Sequence, residues 1–358
     1  MKILILNWRC IKNPDMGGSE IYFYELAKRW AKLGNKITWF SPMFKNAEKE
    51  EEIEGIKFIR SGGKYSIYFK SALNYMKIND FDVIIDVENG IPFFSPLYIR
   101  NKKIFLHIHH VHKVIWFKQM PIPIAIIGYI LESKIMPLLY KNNRVITLSK
   151  SSHDEIIDEK ITKCDPKIVN PGIEFYKYKK FKKNRIPAVL FLNRVKKYKG
   201  IDTFIDSARK IGDRNIEFWV AGSGDYLETA KKYVNENKLK NVLFFGRIDE
   251  EKKKEIMQKA WIFVNPSYKE GWGIVNIESN YFGTPVIGSN VSGIKDSVVD
   301  GKTGFLFEYG NSDNLAEKIK TLIKNKKMLD KMSKNAKNWA KKFEWDSKAK
   351  EYLNLISN

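Results

Sequence analysis

The stretch Asn265–Asp300, NPSYKEGWGIVNIESNYFGTPVIGSNVSGIKDSVVD, decides the fold of this chain. The run WIFVNPS at its start predicts a buried strand that leads into a loop, and NIESNYFGTP predicts the first turns of a helix that Gly283 and Pro285 end. PVIGSN then predicts a second strand. Glu270 therefore follows the carboxyl end of a strand and Glu278 lies on the next helix, at the edge where open parallel sheets bind ligands.

The residue types at this edge indicate the chemistry of a ligand. Gly271 and Gly273 allow the backbone to approach a ligand closely, and a helix start offers N–H groups that suit phosphate. The carboxylates of Glu270 and Glu278 suit hydroxyl groups instead. A single Glu is most often a solvated surface residue, but the whole stretch is far more specific, and it predicts a ligand with both phosphate and polyol parts, such as a nucleotide sugar.

Length and composition limit the classes of protein to consider. A chain of 358 residues predicts two domains, and 44% hydrophobic residues are typical of a globular enzyme. The net charge of +22 favours nucleotides, phospholipid surfaces or nucleic acid as partners. Clustered aromatic and basic residues of a nucleic-acid motif are not found in the sequence, so we expect no nucleic-acid partner. The two cysteines, Cys10 and Cys164, predict reduced thiols and a cytoplasmic protein.

Two apolar segments of the sequence are candidates for membrane segments, and their lengths argue against both. The N-terminal MKILIL is too short for a signal peptide and predicts the first strand. Ile122–Leu131 is the most apolar segment, but a spanning helix needs roughly 20 such residues, so we expect no membrane crossing. The wider segment Trp116–Tyr140 is either a core helix, which is the more common case, or a surface for a lipid acceptor.

The order of elements predicts the same architecture twice. KILIL, a loop with Gly17 and Gly18, a helix and KITWFSP form a βαβ unit, whose glycine pair offers a phosphate-sized gap or only a turn. Further strand and helix patterns follow, with a charged loop at residues 45–54, and a linker is expected near Cys164–Asn184. The second half repeats the pattern. The predicted fold class is α/β, with two Rossmann-like doubly wound domains that face each other across a cleft.

Two cations are predicted near the same point. In FLNRVKKYKGID, Arg194 comes just after a strand and Lys199 precedes the next helix, so both can turn toward a diphosphate. Alone, they would be surface cations of a basic protein; beside the Glu270 stretch a binding role is favoured. Gly222, in the strand-to-helix turn AGSGD, either passes close to a nucleotide or is only a turn.

The run HIHHVH, His107–His112, contains four of the five histidines. Along a strand His107 and His109 would share one face, and His110 and His112 the other. A zinc site is disfavoured because only His153 remains elsewhere and no compact Asp, Glu or Cys cluster completes a ligand set. We therefore predict that His109 is a hydrogen-bonding group for substrate, with His110 and His112 as neighbours.

Taken together, these motifs resemble the retaining glycosyltransferases of family 4, which have the two-domain GT-B fold. The resemblance covers nearly the whole chain and rests on Glu270 and Glu278 with GWGIVNIES and GTPVIGSNVSG, and on RVKKYKG, DMGGSE, NPGIE, DGKTGFLF and the strand-end His109. One departure is Lys295-Asp296, where many members have proline and glutamate. The four histidines are also denser than the single histidine of the family pattern.

The resemblance implies a role for each matching residue. Arg194 and Lys199 would hold the donor diphosphate, Glu278 the ribose hydroxyls and Glu270 the hydroxyls of the transferred sugar. His109 would contact the donor sugar. The predicted catalytic residues are His109, Arg194, Lys199 and Glu270. The predicted donor-binding residues are Gly17, Gly18, Arg194, Lys199, Gly222, Glu270, Gly271, Gly273, Ile274, Val275 and Glu278. An N-terminal acceptor-binding domain is expected at 1–168 and a donor-binding domain at 169–342, with a C-terminal helix at about 343–358 crossing back onto the first.

The predicted function is the retaining transfer of a hexose-type sugar from a UDP- or GDP-linked donor to a glycan, lipid-linked or small-molecule acceptor. No metal and no cofactor is expected, because a D-x-D pair flanked by apolar strand residues is not found in the sequence. A GT-B phosphorylase or a nucleotide-sugar epimerase remains an alternative, as does a basic protein that binds nucleic acid or a membrane surface. Peripheral association with the inner face of the membrane also stays open.

Overall fold

The computed structural model describes residues 1–63, 66–78, 80–176 and 178–358. The chain divides into two units. Unit 1 consists of Met1–Gly172 and Trp345–Asn358, and unit 2 consists of Ile173–Glu344. The first boundary, after Gly172, lies a few residues beyond the predicted boundary at residue 168.

Unit 1 is built on a sheet that has eight strands within the described residues. The strands are β1 (Lys2–Leu6), β2 (Lys36–Ser41), β3 (Glu50–Ile53), β4 (Ile56–Arg60), β5 (Val83–Glu88), β6 (Lys103–Ile108), β7 (Arg144–Thr147) and β8 (Lys167–Ile168). Their order in the sheet is β3-β4-β2-β1-β5-β6-β7-β8, and the pairs are parallel except for β3 with β4. This is the doubly wound arrangement predicted from the alternation of strands and helices.

The segment at residues 45–54 differs from its prediction as a charged loop. Glu50–Ile53 forms β3, which pairs antiparallel with β4 at the edge of the sheet. An edge strand needs only its backbone hydrogen bonds on one side, so charged side chains are tolerated there and protect the edge from further pairing.

Six α-helices in the described part of unit 1 lie between these strands in the sequence. They are α1 (Gly18–Lys32), α2 (Ile67–Ile78), α3 (Val114–Gln119), α4 (Ile122–Ile130), α5 (Met136–Tyr140) and α6 (Lys150–Asp158). A π-helical turn, Leu131–Ile135, joins α4 to α5, so the helical segment runs without a break from Ile122 to Tyr140.

The expectations for this segment need correction. It is 19 residues long rather than the ten that the sequence analysis counted, its most apolar window has a mean hydropathy of 1.6, and only 22% of that window is buried. Trp116–Tyr140 is therefore not a core helix. By length and composition alone Ile122–Tyr140 is able to cross a membrane, but the ring of Trp116 from α3 packs closely against Gly128 on one side of it.

Unit 2 contains a parallel sheet of six strands among the described residues, in the order β11-β10-β9-β12-β13-β14. The strands are β9 (Ala188–Leu192), β10 (Glu217–Ala221), β11 (Val242–Gly246), β12 (Ile262–Asn265), β13 (Val286–Ser289) and β14 (Gly304–Phe307). The helices are α7 (Ile201–Ile211), α8 (Leu227–Glu236), α9 (Glu250–Lys259), α10 (Ile274–Tyr281), α11 (Ile294–Ser297), α12 (Ser312–Lys324) and α13 (Lys326–Ala340). Alternate residues of β9 enter two hydrophobic clusters, one on each face of the sheet.

The C-terminal helix α14 (Trp345–Ser357) belongs to unit 1. Its backbone carbonyl at Ala349 accepts a hydrogen bond from Trp30 Nε1 of α1 at 2.8 Å. Tyr352 is fully buried, and its hydroxyl lies 3.2 Å from His107 Nδ1. Burial of one apolar face and two polar contacts hold this helix on the sheet of unit 1.

Candidate functional site

The sheet of unit 2 reverses its order beside β9. The chain moves from β9 to β10 and β11 on one side, and then returns to place β12 on the other side of β9. The loops that leave the carboxyl ends of β9 and β12 lie at this reversal, and in open parallel sheets the usual ligand crevice is found there. These two loops carry Arg194, Lys199 and Glu270.

Lys199 and Glu270 are in direct contact at this crevice. Lys199 Nζ donates a hydrogen bond to Glu270 Oε1 at 2.6 Å, and the two side chains are only 10% and 18% exposed. A nearly buried ammonium group needs a partner because its desolvation is costly. The ion pair supplies that partner and holds a positive and a negative group side by side.

Backbone packing fixes the position of Lys199. Lys197–Lys199 is a 3₁₀ turn, and Gly200 follows it with φ +74°. A Cβ at residue 200 would lie 2.1 Å from the carbonyl oxygen of Pro266, so only glycine lets the two loops approach this closely. The Tyr268 N–H also donates to the Tyr198 carbonyl at 2.9 Å, which ties the loop after β12 to the loop after β9.

Glu278 lies on α10 and pairs with a residue that the sequence analysis did not single out. Lys253 Nζ donates to Glu278 Oε1 at 2.8 Å and lies 3.5 Å from Glu250 Oε2. Burial opposes the charge of Lys253, but the two glutamates outweigh it and raise its pKa. Glu278 therefore lies beside a cation that is fixed by two glutamates.

Lys253 was missed because its helix, α9, was not predicted. The segment has a clear start signal, since the Asp249 side chain accepts the Lys252 N–H at 2.7 Å as an N-cap and Glu250 and Glu251 occupy the first turn. The acidic run Asp249–Glu251 before Lys252–Glu255 therefore indicates the start of a helix. It does not indicate that Lys253 pairs with Glu278.

The loop after β13 supports the backbone at Glu270. Gly293 has φ +80°, and a Cβ there would lie 2.1 Å from the Glu270 carbonyl oxygen. The Glu270 N–H donates to the Ser292 carbonyl at 3.3 Å. Asp296, one of the two residues that depart from the family pattern, accepts the Gly293 N–H at 3.2 Å and so helps to hold this turn.

The remaining predicted donor-binding residues of unit 2 lie around the same strand ends. Arg194 is exposed just beyond β9, and Gly222 lies at the end of β10 against the Asn193 carbonyl. Gly271 and Gly273 flank the buried Trp272, and Ile274 and Val275 begin α10. The structure thus brings the predicted residues of unit 2 to one edge of one sheet.

The glycine pair of unit 1 lies where it was predicted, at the N-terminus of α1, beyond β1. The Gly17 N–H, however, donates to Glu20 Oε2 at 2.6 Å. One of the N–H groups expected to face phosphate is therefore already satisfied by a carboxylate, which also places negative charge beside the gap.

The histidines follow the predicted alternation. The rings of His107 and His109 are 4.6 Å apart, and those of His110 and His112 are 4.5 Å apart. His109 is 7% exposed and packs among Tyr22, Phe23 and His107, and its buried Nε2 has no hydrogen-bond partner among the described residues. Burial, and next the neighbouring His112, lowers the pKa of His109 to about 3, so the ring is neutral. Its role toward a donor sugar stays a prediction.

The expectation that no carboxylate cluster accompanies the histidines is wrong. His112 Nδ1 lies 3.5 Å from Glu88 Oε1 and 3.7 Å from Glu132 Oε1, and the three candidate ligand atoms lie within 4.8 Å of one another. Glu132 already accepts hydrogen bonds from the His112 N–H at 2.5 Å, the Lys113 N–H at 2.8 Å and Trp116 Nε1 at 3.0 Å. Its oxygens thus anchor the start of α3, and this arrangement accounts for the cluster without an ion.

Two family models match the two units in turn. The model described as "Glycosyltransferase Family 4" matches residues 16–175, and "Glycosyl transferases group 1" matches residues 173–339. This chain is a family 4 glycosyltransferase. The uncharacterized glycosyltransferase MJ1178 of Methanocaldococcus jannaschii is 33% identical over 44% of this chain, and the chain spans less than half, 44%, of that relative's length.

Solved structures agree with the GT-B fold of this family member. Sucrose-phosphate synthase from Thermosynechococcus elongatus superposes with a TM-score of 0.82 at 20% identity, covering 99% of this chain and 98% of that one. HepE of Anabaena, solved in complex with UDP-glucose, gives a TM-score of 0.76 at 18% identity over 100% and 99% of the two chains. The predicted fold class is confirmed. At these identities the structures support the fold alone.

Proposed function

We propose that this glycosyltransferase moves a hexose-type sugar from a UDP- or GDP-linked donor to an acceptor hydroxyl with retention at the anomeric carbon. The observation that carries the proposal is the Lys199–Glu270 ion pair at the crevice of unit 2. A nucleotide sugar presents an anionic diphosphate directly beside a neutral polyol, and this pair presents a cation directly beside a carboxylate.

The proposed step breaks the bond between the anomeric carbon and the diphosphate oxygen. The electron pair leaves with the diphosphate, and Arg194 and Lys199 stabilise its growing charge. The acceptor oxygen forms the new bond to the same face of the anomeric carbon, and the acceptor proton passes to the departing phosphate oxygen. Transfer therefore releases a nucleoside diphosphate and needs no other reactant.

The carboxylates are proposed to orient the donor from its two ends. Glu270 accepts hydrogen bonds from the hydroxyls of the transferred sugar, and Glu278 from those of the ribose. Since Lys199 Nζ lies 2.6 Å from Glu270 Oε1, the bond that breaks would lie close to this pair. The contact of Glu278 with Lys253 would hold the second carboxylate in position for the ribose.

Metal independence is also part of the proposal. Two cations, Arg194 and Lys199, would supply the charge that a divalent ion supplies in other transferases. EDTA is the direct test, because a donor that binds and reacts equally well with and without chelator needs no such ion.

The acceptor is proposed to be a glycan or a lipid-linked glycan in the cytoplasm. One curated relative, CapM of Staphylococcus aureus, is named a capsular polysaccharide biosynthesis glycosyltransferase and is 30% identical over 56% of this chain. HepE was solved with UDP-glucose, which favours UDP-linked donors as the first class to test. A small-molecule acceptor is the alternative.

The testing experiment measures the melting temperature of the whole protein with UDP-, GDP- and ADP-linked sugars in EDTA. We expect one class to raise the melting temperature, since a ligand at about 100 times its Kd adds roughly 2.7 kcal/mol to the free energy of unfolding. Glu278→Ala and Arg194→Ala should lose this shift. The matched controls are Glu228→Ala and Arg214→Ala, which change exposed residues of unit 2.

The outcomes separate the proposal from its alternatives. Equal shifts in wild type, Glu278→Ala and Arg194→Ala would place the donor elsewhere. Release of sugar 1-phosphate with inorganic phosphate would identify a phosphorylase, and a changed donor sugar without acceptor would identify an epimerase. No shift with any nucleotide sugar would contradict the donor assignment.

A further inference from the structure

Exposed apolar side chains of this protein are concentrated in one short segment of unit 1. Among the described residues, 24 large hydrophobic side chains are exposed, and eleven of them lie between residues 114 and 138. They are Val114, Phe117, Met120, Ile122, Ile124, Ile126, Ile127, Tyr129, Ile130, Ile135 and Leu138. We call these eleven side chains the apolar surface. Isolated exposed apolar residues are normal, but such a concentration marks an interaction surface.

We infer that the apolar surface docks unit 1 onto an anionic lipid bilayer. This inference does not rest on the proposed transfer reaction. Helix α4 is apolar around nearly its whole circumference, and only Ala125 and Gly128 of its nine residues are buried. A helix with this composition needs apolar surroundings on its outer side, and Ile122 and Ile127 are 70% and 59% exposed.

The packing of the segment favours a helix that lies on the bilayer over one that crosses it. The ring of Trp116 lies where a Cβ of residue 128 would be, at 2.7 Å, so α3 and α4 are in close contact. The carboxylate of Glu132 accepts hydrogen bonds from two backbone N–H groups and from Trp116 Nε1. A helix fixed to the protein along one side by these contacts can insert only its outer side chains into a membrane.

The charges around the apolar surface favour anionic headgroups. Glu132 is the only acidic residue between residues 113 and 144, and it is 1% exposed and turned into the protein. Four exposed cations, Lys118, Lys134, Lys141 and Arg144, lie within this segment or close after it in the sequence. Basic residues at the edge of an apolar surface add electrostatic attraction to the insertion of apolar side chains.

The same charges disfavour a second copy of this chain as the occupant. Two copies that met through this surface would bring like charges together, on a protein whose net charge is already +22. A bilayer with anionic lipids offers apolar contact and opposite charge at once. The occupant that fits both the apolar side chains and the charges is therefore the lipid surface.

The test is flotation of the full-length protein with phospholipid vesicles. We expect binding to vesicles that contain phosphatidylglycerol, weaker binding to vesicles of pure phosphatidylcholine, and a loss of binding at high salt. The double variant Ile122→Asp/Ile127→Asp should reduce the partition coefficient by roughly tenfold or more, because it places two charges in the inserted face. The matched control Ile157→Asp/Ile186→Asp changes two exposed isoleucines, 43% and 41% exposed, outside the apolar surface.

A second pair of variants tests the charges. Lys134→Glu/Lys141→Glu should abolish the preference for phosphatidylglycerol, and circular dichroism will show that these exposed substitutions leave the fold intact. Equal flotation of wild type and Ile122→Asp/Ile127→Asp would overturn the inference. So would the absence of flotation together with a dimer, seen by light scattering, that this double variant dissociates, because the surface would then bind a second copy.

Discussion

Lys199 and Glu270, separated by 71 positions in the chain, form a hydrogen-bonded ion pair of 2.6 Å at the carboxyl edge of the unit 2 sheet. The pair joins the loop after β9 to the loop after β12, the two strands between which the sheet order reverses. The pair therefore lies at the reversal of strand order where the crevice is expected. In the proposed reaction Lys199 binds the diphosphate and Glu270 binds the transferred sugar, on opposite sides of the bond that breaks.

The first prediction concerns the stability that this pair provides. Lys199→Met and Glu270→Gln should each lower the free energy of unfolding by about 1–3 kcal/mol, because each leaves a nearly buried charge without its partner. The double variant should cost less than the sum of the two. Urea unfolding of the four proteins gives the coupling energy directly.

The exposed pair Lys231–Glu228 provides the control for that cycle. Its side chains are 41% and 81% exposed, so its coupling energy should stay below about 1 kcal/mol. A coupling at Lys199–Glu270 no larger than in this control would show that the contact does not hold the two loops together.

The second prediction concerns Lys253, the partner of Glu278. Lys253→Ala should weaken binding of the nucleotide-sugar donor by roughly tenfold, because Glu278 loses the cation that orients it. Its neighbour Lys252 pairs with Glu255 instead, and Lys252→Ala should leave donor affinity unchanged. Isothermal titration of both variants is the measurement, and equal affinities would mean that Lys253 does not act through Glu278.

Much of this site was predictable because its residues follow strands in the sequence. The carboxyl ends of parallel strands share one edge, so locating β9 and β12 was enough to place Arg194, Lys199 and Glu270 on that edge. The contact with Lys253 was not predictable in this way. It depends on the angle at which α9 packs against the sheet, and no periodicity in the sequence encodes that angle.

The errors in unit 1 have a similar origin. Sequence patterns cannot tell an apolar helix with buried sides from one with an exposed side, so for Trp116–Tyr140 a core helix was favoured over a lipid-acceptor surface only because core helices are more common. Glu88 and Glu132 lie 24 and 20 positions from His112 and meet it only because β5, β6 and the helical segment after α3 converge. Such a cluster is a property of tertiary packing.

The third prediction concerns the turn that supports Glu270. Gly293→Ala places a Cβ 2.1 Å from the Glu270 carbonyl oxygen, whereas Gly310 has a similar φ, +78°, and open space around its Cβ position. Both variants should lose about 1 kcal/mol of the free energy of unfolding, because alanine disfavours a positive φ. Only Gly293→Ala should lose about 2 kcal/mol more, because its Cβ meets the Glu270 carbonyl oxygen. Thermal unfolding compares them. Equal losses would show that the loop accommodates a side chain at residue 293.

The last prediction uses the buried histidines of unit 1. Burial lowers the pKa of His109 to about 3 and that of His107 well below its ordinary value. In the unfolded chain both rings bind a proton near pH 6.5. Between that pH and the folded pKa the unfolded state binds more protons, so the free energy of unfolding falls as the pH is lowered from 6.5 toward 3, with the full stability present above 6.5.

The variant His109→Gln isolates this contribution. Between pH 7 and pH 5.5 the wild type should lose about 1 kcal/mol more than the variant, since a glutamine cannot bind the proton that favours the unfolded state. Between pH 7.5 and pH 9 the two should depend on pH equally, which serves as the internal control. Urea unfolding followed by circular dichroism measures both ranges. Parallel curves below pH 6.5 would mean that the ring of His109 is protonated in the folded protein and thus more accessible than its burial indicates.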